Sequence, residues 1–267
     1  MRIGFIGVGN MGTAIMKGYL AAHKDINQNI NIYDKDEKKI LNLSQELGVN
    51  KCNSLERLME HSDIVILAVK PQNFEEVLTE ISAFYKPHQV FVSIAAGISI
   101  GYIEQLMKHE GIKVVRVMPN IPALVNEGMS ALCKNKYIPD DEFKMVVEIF
   151  RSVGRAEVVE EEMIDNVIGI SGSSPAYTFM FIEALIDAAQ TNGMKKEQAV
   201  IFAGQAVLGA ARMVLETGIE PRILRDNVCS PGGTTIEAVK ALQSNGFRDN
   251  IIEAYQAAVE KSKIMTK

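Results

Sequence analysis

Along the first half of the chain, short apolar runs rich in β-branched residues alternate with stretches whose apolar positions recur at helical spacing. Ile3–Ile6, Ile30–Tyr33, Ile64–Val69, Val90–Ile94 and Val114–Val117 read as strands. They are continuous apolar runs spaced by helices, which predicts a parallel sheet covered on both faces. Two more runs, around Met129–Cys133 and Glu157–Val159, bracket a helical pattern over Asp140–Val153 and extend the sheet. From about Glu161 the strand signal stops and helical patterns continue. The expected organisation is α/β: a doubly wound domain over residues 1–160, then an all-helical domain over residues 161–267.

One helical segment carries Ala176–Ala189 and another Gln198–Leu215. In the second, Ala199, Ala203, Gly204, Ala206, Gly209, Ala210 and Ala211 spread around most of the circumference. A helix that is apolar or small all round has to be enclosed by other protein. A domain of this size can hardly enclose it alone, so the pattern predicts a homodimer, or a multiple of dimers, with interlocked helices. Gln205 and Arg212 interrupt Ala199–Leu215, which also falls short of the ~20 apolar residues of a spanning helix. The segment therefore reads as buried in protein, with no membrane partner.

Composition narrows the class. The 267 residues suffice for two domains, each with a core of its own. At 47% hydrophobic and 23% charged, the chain is of ordinary globular type. A net charge of -5 without a basic stripe argues against nucleic acid as the main partner. Cys52, Cys133 and Cys229 lie far apart with no CxxC pair, which suggests neither a disulfide framework nor a metal site and fits a reducing cytoplasm. The apolar start, Met1–Val8, lacks the features of a signal peptide and runs directly into a glycine motif.

That motif, Gly7-Val8-Gly9-Asn10-Met11-Gly12, stands between a strand and a helical pattern, the context in which such spacing signals dinucleotide binding. Gly7 permits the tight turn, Gly9 lets the backbone approach a pyrophosphate, and Gly12 allows close helix packing. Asp34 follows the second strand, where an acid commonly takes the adenine ribose hydroxyls. This favours NADH slightly over NADPH, although Lys35, Lys38 and Lys39 follow at once and could receive a 2′-phosphate. Ala68-Val69-Lys70-Pro71 closes another strand at the carboxyl ends of the sheet, where ligands bind. The same residues also fit a proline that merely opens the next helix.

Ser230-Pro231-Gly232-Gly233-Thr234-Thr235 precedes the helical pattern Ile236–Leu242. Successive backbone NH groups and a positive helix end at one spot suit an anion. An ordinary Pro-Gly-Gly turn with a threonine cap accounts for the same residues. All four histidines, His23, His61, His88 and His109, are scattered through the first half and read as surface residues, which disfavours a histidine-based triad or metal hydrolase.

Taken together, Val65–Gln72 (VILAVKPQ), Ser93–Gly97 (SIAAG), Val115–Pro122 (VRVMPNIP), Ser171–Tyr177 (SGSSPAY) and Asp226–Thr235 (DNVCSPGGTT) resemble the pyrroline-5-carboxylate reductase family from end to end. The resemblance implies a Rossmann domain, a helical dimerisation domain, and reduction of 1-pyrroline-5-carboxylate to L-proline by NADH or NADPH. It places the substrate at Ser230, Gly232, Gly233, Thr234 and Thr235, with Ser173–Tyr177 nearby and Thr235 as the catalytic hydrogen-bonding residue. It assigns the cofactor to Gly7, Gly9, Asn10, Met11, Gly12, Asp34, Ala68, Val69, Lys70, Pro71 and Asn120. The chain departs from the family pattern at Ile121, where threonine is usual, at Ser174, where glycine is usual, and at Glu220, where histidine is usual. Two other readings are a β-hydroxyacid dehydrogenase or related imine reductase, and a non-catalytic nucleotide sensor. The hydroxyacid version would be expected to carry a lysine on the first long helix of the second domain, a requirement that does not extend to an imine reductase acting on another cyclic imine acid; the sensor has no need of SPGGTT.

Overall fold

The structure, a computed structural model, describes all 267 residues. It contains one eight-stranded sheet. The strands are β1 (Ile3–Ile6), β2 (Ile30–Tyr33), β3 (Asn50–Lys51), β4 (Ile64–Leu67), β5 (Val90–Ser93), β6 (Lys113–Met118), β7 (Gly128–Lys134) and β8 (Gly154–Val158). The helices are α1 (Asn10–Ala22), α2 (Glu37–Leu47), α3 (Leu55–Glu60), α4 (Phe74–Ser82), α5 (Ile100–Met107), α6 (Asp140–Arg151) and α7 (Ile164–Val167), then α8 (Ser174–Thr191), α9 (Lys196–Thr217), α10 (Pro221–Val228), α11 (Thr234–Ser244) and α12 (Phe247–Met265).

Strand order is β3-β2-β1-β4-β5-β6-β7-β8. The chain winds outward in both directions from the β1–β4 pair, which makes the carboxyl ends of these two strands the topological switch point. Side chains alternate between two apolar faces. Ile3, Phe5, Ile64, Ile66, Val90 and Val92 join a core with Ile15, Met16 and Phe150 of α1 and α6. Ile6, Val65, Leu67 and Phe91 join another with Leu58, Leu78, Ile81 and Ile103 of α3, α4 and α5.

The sheet departs from the expected parallel arrangement at one place: β7 pairs antiparallel with β6. The connection over residues 119–127 is a 3-10 turn, Ile121–Val125, closed by Asn126 in the left-handed region. So short a link cannot supply the crossover that a parallel neighbour requires. β8 then returns parallel to β7 through α6. The two-residue strand β3 is polar and has no apolar run to announce it.

The chain forms two compact units, Met1–Gly172 with Ala258–Lys267, and Ser173–Ala257. Helical structure takes over at Glu161, yet the sheet unit continues to Gly172. Ile164 and Ile168 are buried in its core, and the Glu161 carboxylate accepts from the Arg116 guanidinium at 3.0 Å and from the Ile100 amide at 2.9 Å.

In the helical unit only Ala199 and Ala203 are buried. α9 corrects one expectation, that it falls short of a membrane-spanning length. Its 22 residues are long and apolar enough to cross a membrane by length and composition, and only 11% of its most apolar window is buried in this chain. The segment that reads as buried is thus left open by its own unit.

Candidate active site

The glycine loop is built by exclusion of side chains. Gly7 has φ +92°, and a Cβ there would lie 2.8 Å from the Ala68 carbonyl oxygen. At Gly12 a Cβ would lie 2.8 Å from the Gly7 oxygen and 3.0 Å from Ala68 Cβ, so Ala68 is the wall against which the turn closes. Gly9 is different: nothing lies within 4 Å of a Cβ there. It occupies the N-cap of α1 without a side-chain cap, and no acid stands in the first turn. The free NH groups of this helix end and the open space at Gly9 form a cradle that fits a pyrophosphate.

Asp34 is tied to the same loop. Its Oδ2 accepts from the Val8 amide at 2.9 Å and its Oδ1 from the Asp36 amide at 3.0 Å. A carboxylate has capacity beyond two such bonds, so Asp34 can still receive ribose hydroxyls. Beyond it lies a concavity of about 310 Å³ lined by Tyr33, Lys38, Leu41, Lys51 and Asn53 among others. Lys51 and Asn53 belong to the short polar stretch at β3, which the strand pattern passes over. Lys35 Nζ pairs with both Glu76 carboxylate oxygens at 2.9 Å, and that hydrogen bond raises the lysine pKa.

Val69 and Lys70 extend from β4, and Pro71 opens the 3-10 turn Pro71–Asn73. The proline therefore does start a helical turn, at the switch point. Asn120 lies two residues beyond β6, at the N-cap of the 3-10 turn Ile121–Val125, and is buried; its Nδ2 donates to the Ser171 oxygen at 2.9 Å and its Oδ1 accepts from the Met129 amide at 2.8 Å. The side chain thus joins β6, β7 and the π-helical turn Ile168–Gly172.

In the helical unit, Ser230–Gly233 forms a turn closed by Gly233 NH to the Ser230 oxygen at 3.0 Å, with Gly232 at φ +70°. Gly233 is the N-cap of α11 and no side chain caps the helix. Thr234 and Thr235 are its first two residues, so neither hydroxyl serves as the expected threonine cap. Cys229 is half-buried, Ser230 and Thr234 exposed, and Thr235 half-buried. Ser174 begins α8, and Tyr177 OH donates to the Ala254 oxygen at 3.2 Å. Ile121 opens the 3-10 turn after β6, and Glu220 is the N-cap of α10. Of the histidines, His109 is partly buried, stacked on Tyr85 with centroids 4.4 Å apart.

Residues 161–265 match the family described as pyrroline-5-carboxylate reductase dimerisation, and residues 2–97 the family described as NADP oxidoreductase coenzyme F420-dependent. The chain is 46% identical over 266 residues to pyrroline-5-carboxylate reductase of Escherichia coli strain K12, covering 100% of this chain and 98% of that protein. The chain belongs to the pyrroline-5-carboxylate reductase family. Among solved structures, the pyrroline-5-carboxylate reductase of Coxiella burnetii is similar at a TM-score of 0.92 with 35% identity, covering 100% of this chain and 98% of that one. The Plasmodium falciparum pyrroline carboxylate reductase with NADP bound gives 0.90 with 35% identity and the same coverage. In keeping with this family, and unlike the pattern expected of a β-hydroxyacid dehydrogenase, α8 carries no lysine.

Proposed function

We propose that the protein is a cytoplasmic pyrroline-5-carboxylate reductase, delivering hydride from NADH or NADPH to the C=N bond of 1-pyrroline-5-carboxylate to give L-proline. The observation that carries this reading is the presence of both a complete glycine loop and the SPGGTT turn in a chain that aligns end to end with enzymes of that name.

When bound, the reduced nicotinamide supplies the hydride, and the chain's own residues bind, orient and shield. Gly7, Gly9, Asn10, Met11 and Gly12 hold the pyrophosphate at the α1 N-terminus, Asp34 takes the ribose, and Ala68, Val69, Lys70 and Pro71 contact the nicotinamide side. Asn120 supports this side by holding the carboxyl end of β6 in place. At α11, the backbone of Gly233 and Thr234 receives the substrate carboxylate, with Ser230 and Gly232 shaping the turn. The Thr235 hydroxyl, free of capping duty, hydrogen-bonds the ring nitrogen, whose protonation makes the imine electrophilic. No covalent intermediate is required.

NADH serves at least as well as NADPH, because the Asp34 side chain stands where a 2′-phosphate would be repelled and Lys35 is paired with Glu76. The active form is a homodimer or a multiple of dimers, in which a second copy covers α9. The wide spacing of Cys52, Cys133 and Cys229, with no CxxC pair, suits a reducing compartment. Purified protein should oxidise NADH or NADPH when pyrroline-5-carboxylate is added; folded protein inert with both cofactors overturns the reading.

A further inference from the structure

The SIAAG segment follows β5 at the carboxyl edge of the sheet, one strand from the switch point. Its Ile94 amide donates to the Leu67 oxygen at 3.3 Å, next to the Ala68 that walls the glycine loop. Most of this loop is backbone: Ala95, Gly97 and Ile98 are buried, and Gly97 is at φ +74°. The end of the chain is laid across it. The Lys267 amide donates to the Gly97 oxygen at 2.9 Å, and the Ser99 amide and Oγ donate to the Lys267 oxygen at 3.3 and 2.5 Å. Lys267 Nζ stands over the Tyr102 ring, 5.5 Å from its centroid. A Cβ at Gly97 would lie 3.0 Å from the Met265 oxygen, so the tail and the loop meet backbone to backbone.

The tail is itself anchored upstream. Val259 and Ser262 are buried, and Ser262 Oγ donates to Asp165 at 2.5 Å. From that anchor, every hydrogen bond and ring contact of Lys267 described above goes to residues 97–102. Three residues contribute little core of their own; what they supply is a set of fixed bonds to one loop.

We propose that Met265–Lys267 is a strap that holds the Ile94–Ser99 loop in the shape that binds the nicotinamide half of the cofactor, with Ser99 as the positioning residue that fastens it. This rests on the cofactor reading above. Ser99 has two separable duties: its Oγ accepts from the Tyr102 amide at 3.1 Å as the N-cap of α5, and donates to Lys267. Aspartate preserves the cap but has no proton to donate, whereas threonine preserves both.

The test compares the parent chain with Ser99→Asp, Ser99→Thr and a chain ending at Ile264, measuring Kd for NADH and NADPH by fluorescence, KM and kcat, and melting temperature. Ser99→Asp and the shortened chain should weaken cofactor binding roughly five- to thirtyfold, the equivalent of one or two lost hydrogen bonds, while the KM for the imine changes little. Ser99→Thr should restore parental affinity. Unchanged cofactor affinity in Ser99→Asp, or equal weakening in Ser99→Asp and Ser99→Thr, overturns the strap; if the shortened chain fails to fold, this serine pair decides. A parent that binds cofactor but does not reduce pyrroline-5-carboxylate would instead sink the functional reading, leaving the binding comparison intact.

Discussion

The sheet unit and the helical unit solve the problem of burial in opposite ways. The sheet unit encloses two apolar cores with its own helices. The helical unit buries only Ala199 and Ala203 and displays Ile201 at 69% and Phe202 at 65% exposure, along with Phe179 and Met180. An exposed apolar surface of this extent marks an interaction site rather than a free monomer surface. The cofactor loop is therefore complete within one chain, while the unit carrying SPGGTT depends on something outside it. A unit that must be covered is also one whose assembly state and activity are linked.

The strongest way to break this contrast is a charge on α9. Ala206 is exposed in the single chain and nothing lies within 4 Å of a Cβ at Gly209, so glutamate at either position is harmless unless a second copy covers it. Ala206→Glu or Gly209→Glu should cost about 3 to 5 kcal/mol of assembly by burying an unpaired charge, seen in light scattering as loss of the dimer. A stable, active monomer would remove the dependence altogether.

Gly12→Ala probes the self-sufficient unit. The added methyl meets the Gly7 oxygen and Ala68, so overpacking of about 1 to 3 kcal/mol should appear as a lower melting temperature and weaker cofactor binding. Parental melting and affinity would mean that the loop yields. Thr235→Val asks whether the helical unit contributes chemistry as well as surface. It should lower kcat/KM for the imine by roughly five- to 150-fold, from about 1 to 3 kcal/mol of lost hydrogen bonding, with cofactor affinity and assembly unchanged. Full activity would send the ring nitrogen to another partner. The smallest expected effect is on cofactor choice: Asp34→Ser should raise the NADPH to NADH ratio of kcat/KM roughly fivefold, about 1 kcal/mol, and an unchanged ratio would shift the discrimination to Lys38 and Lys51.

Much of this was legible from residue order. Apolar runs such as Ile64–Leu67 announce central strands because both faces are covered, and Gly7, Gly9 and Gly12 announce a turn that only missing side chains permit. The reversal at β7 was not legible, since it depends on Asn126 adopting a left-handed backbone after a 3-10 turn. Nor was β3, whose pairing is made by the backbone of polar residues. Asp34 could be placed by spacing, but its bond to the Val8 amide links segments that spacing alone does not relate. That α12 begins in one compact unit and ends in the other left no mark in its helical pattern.

The close fit among Gly7, Gly12 and Ala68 has a genetic consequence. These positions lie on two separate segments yet share one small volume, so a library that varies them singly will find almost every change deleterious. Varying them together does not free them: glycine at position 68 would remove the 3.0 Å contact yet leave a methyl at position 12 against the Gly7 backbone oxygen at 2.8 Å, and Gly7 stays fixed because its backbone conformation, not only its space, excludes a side chain.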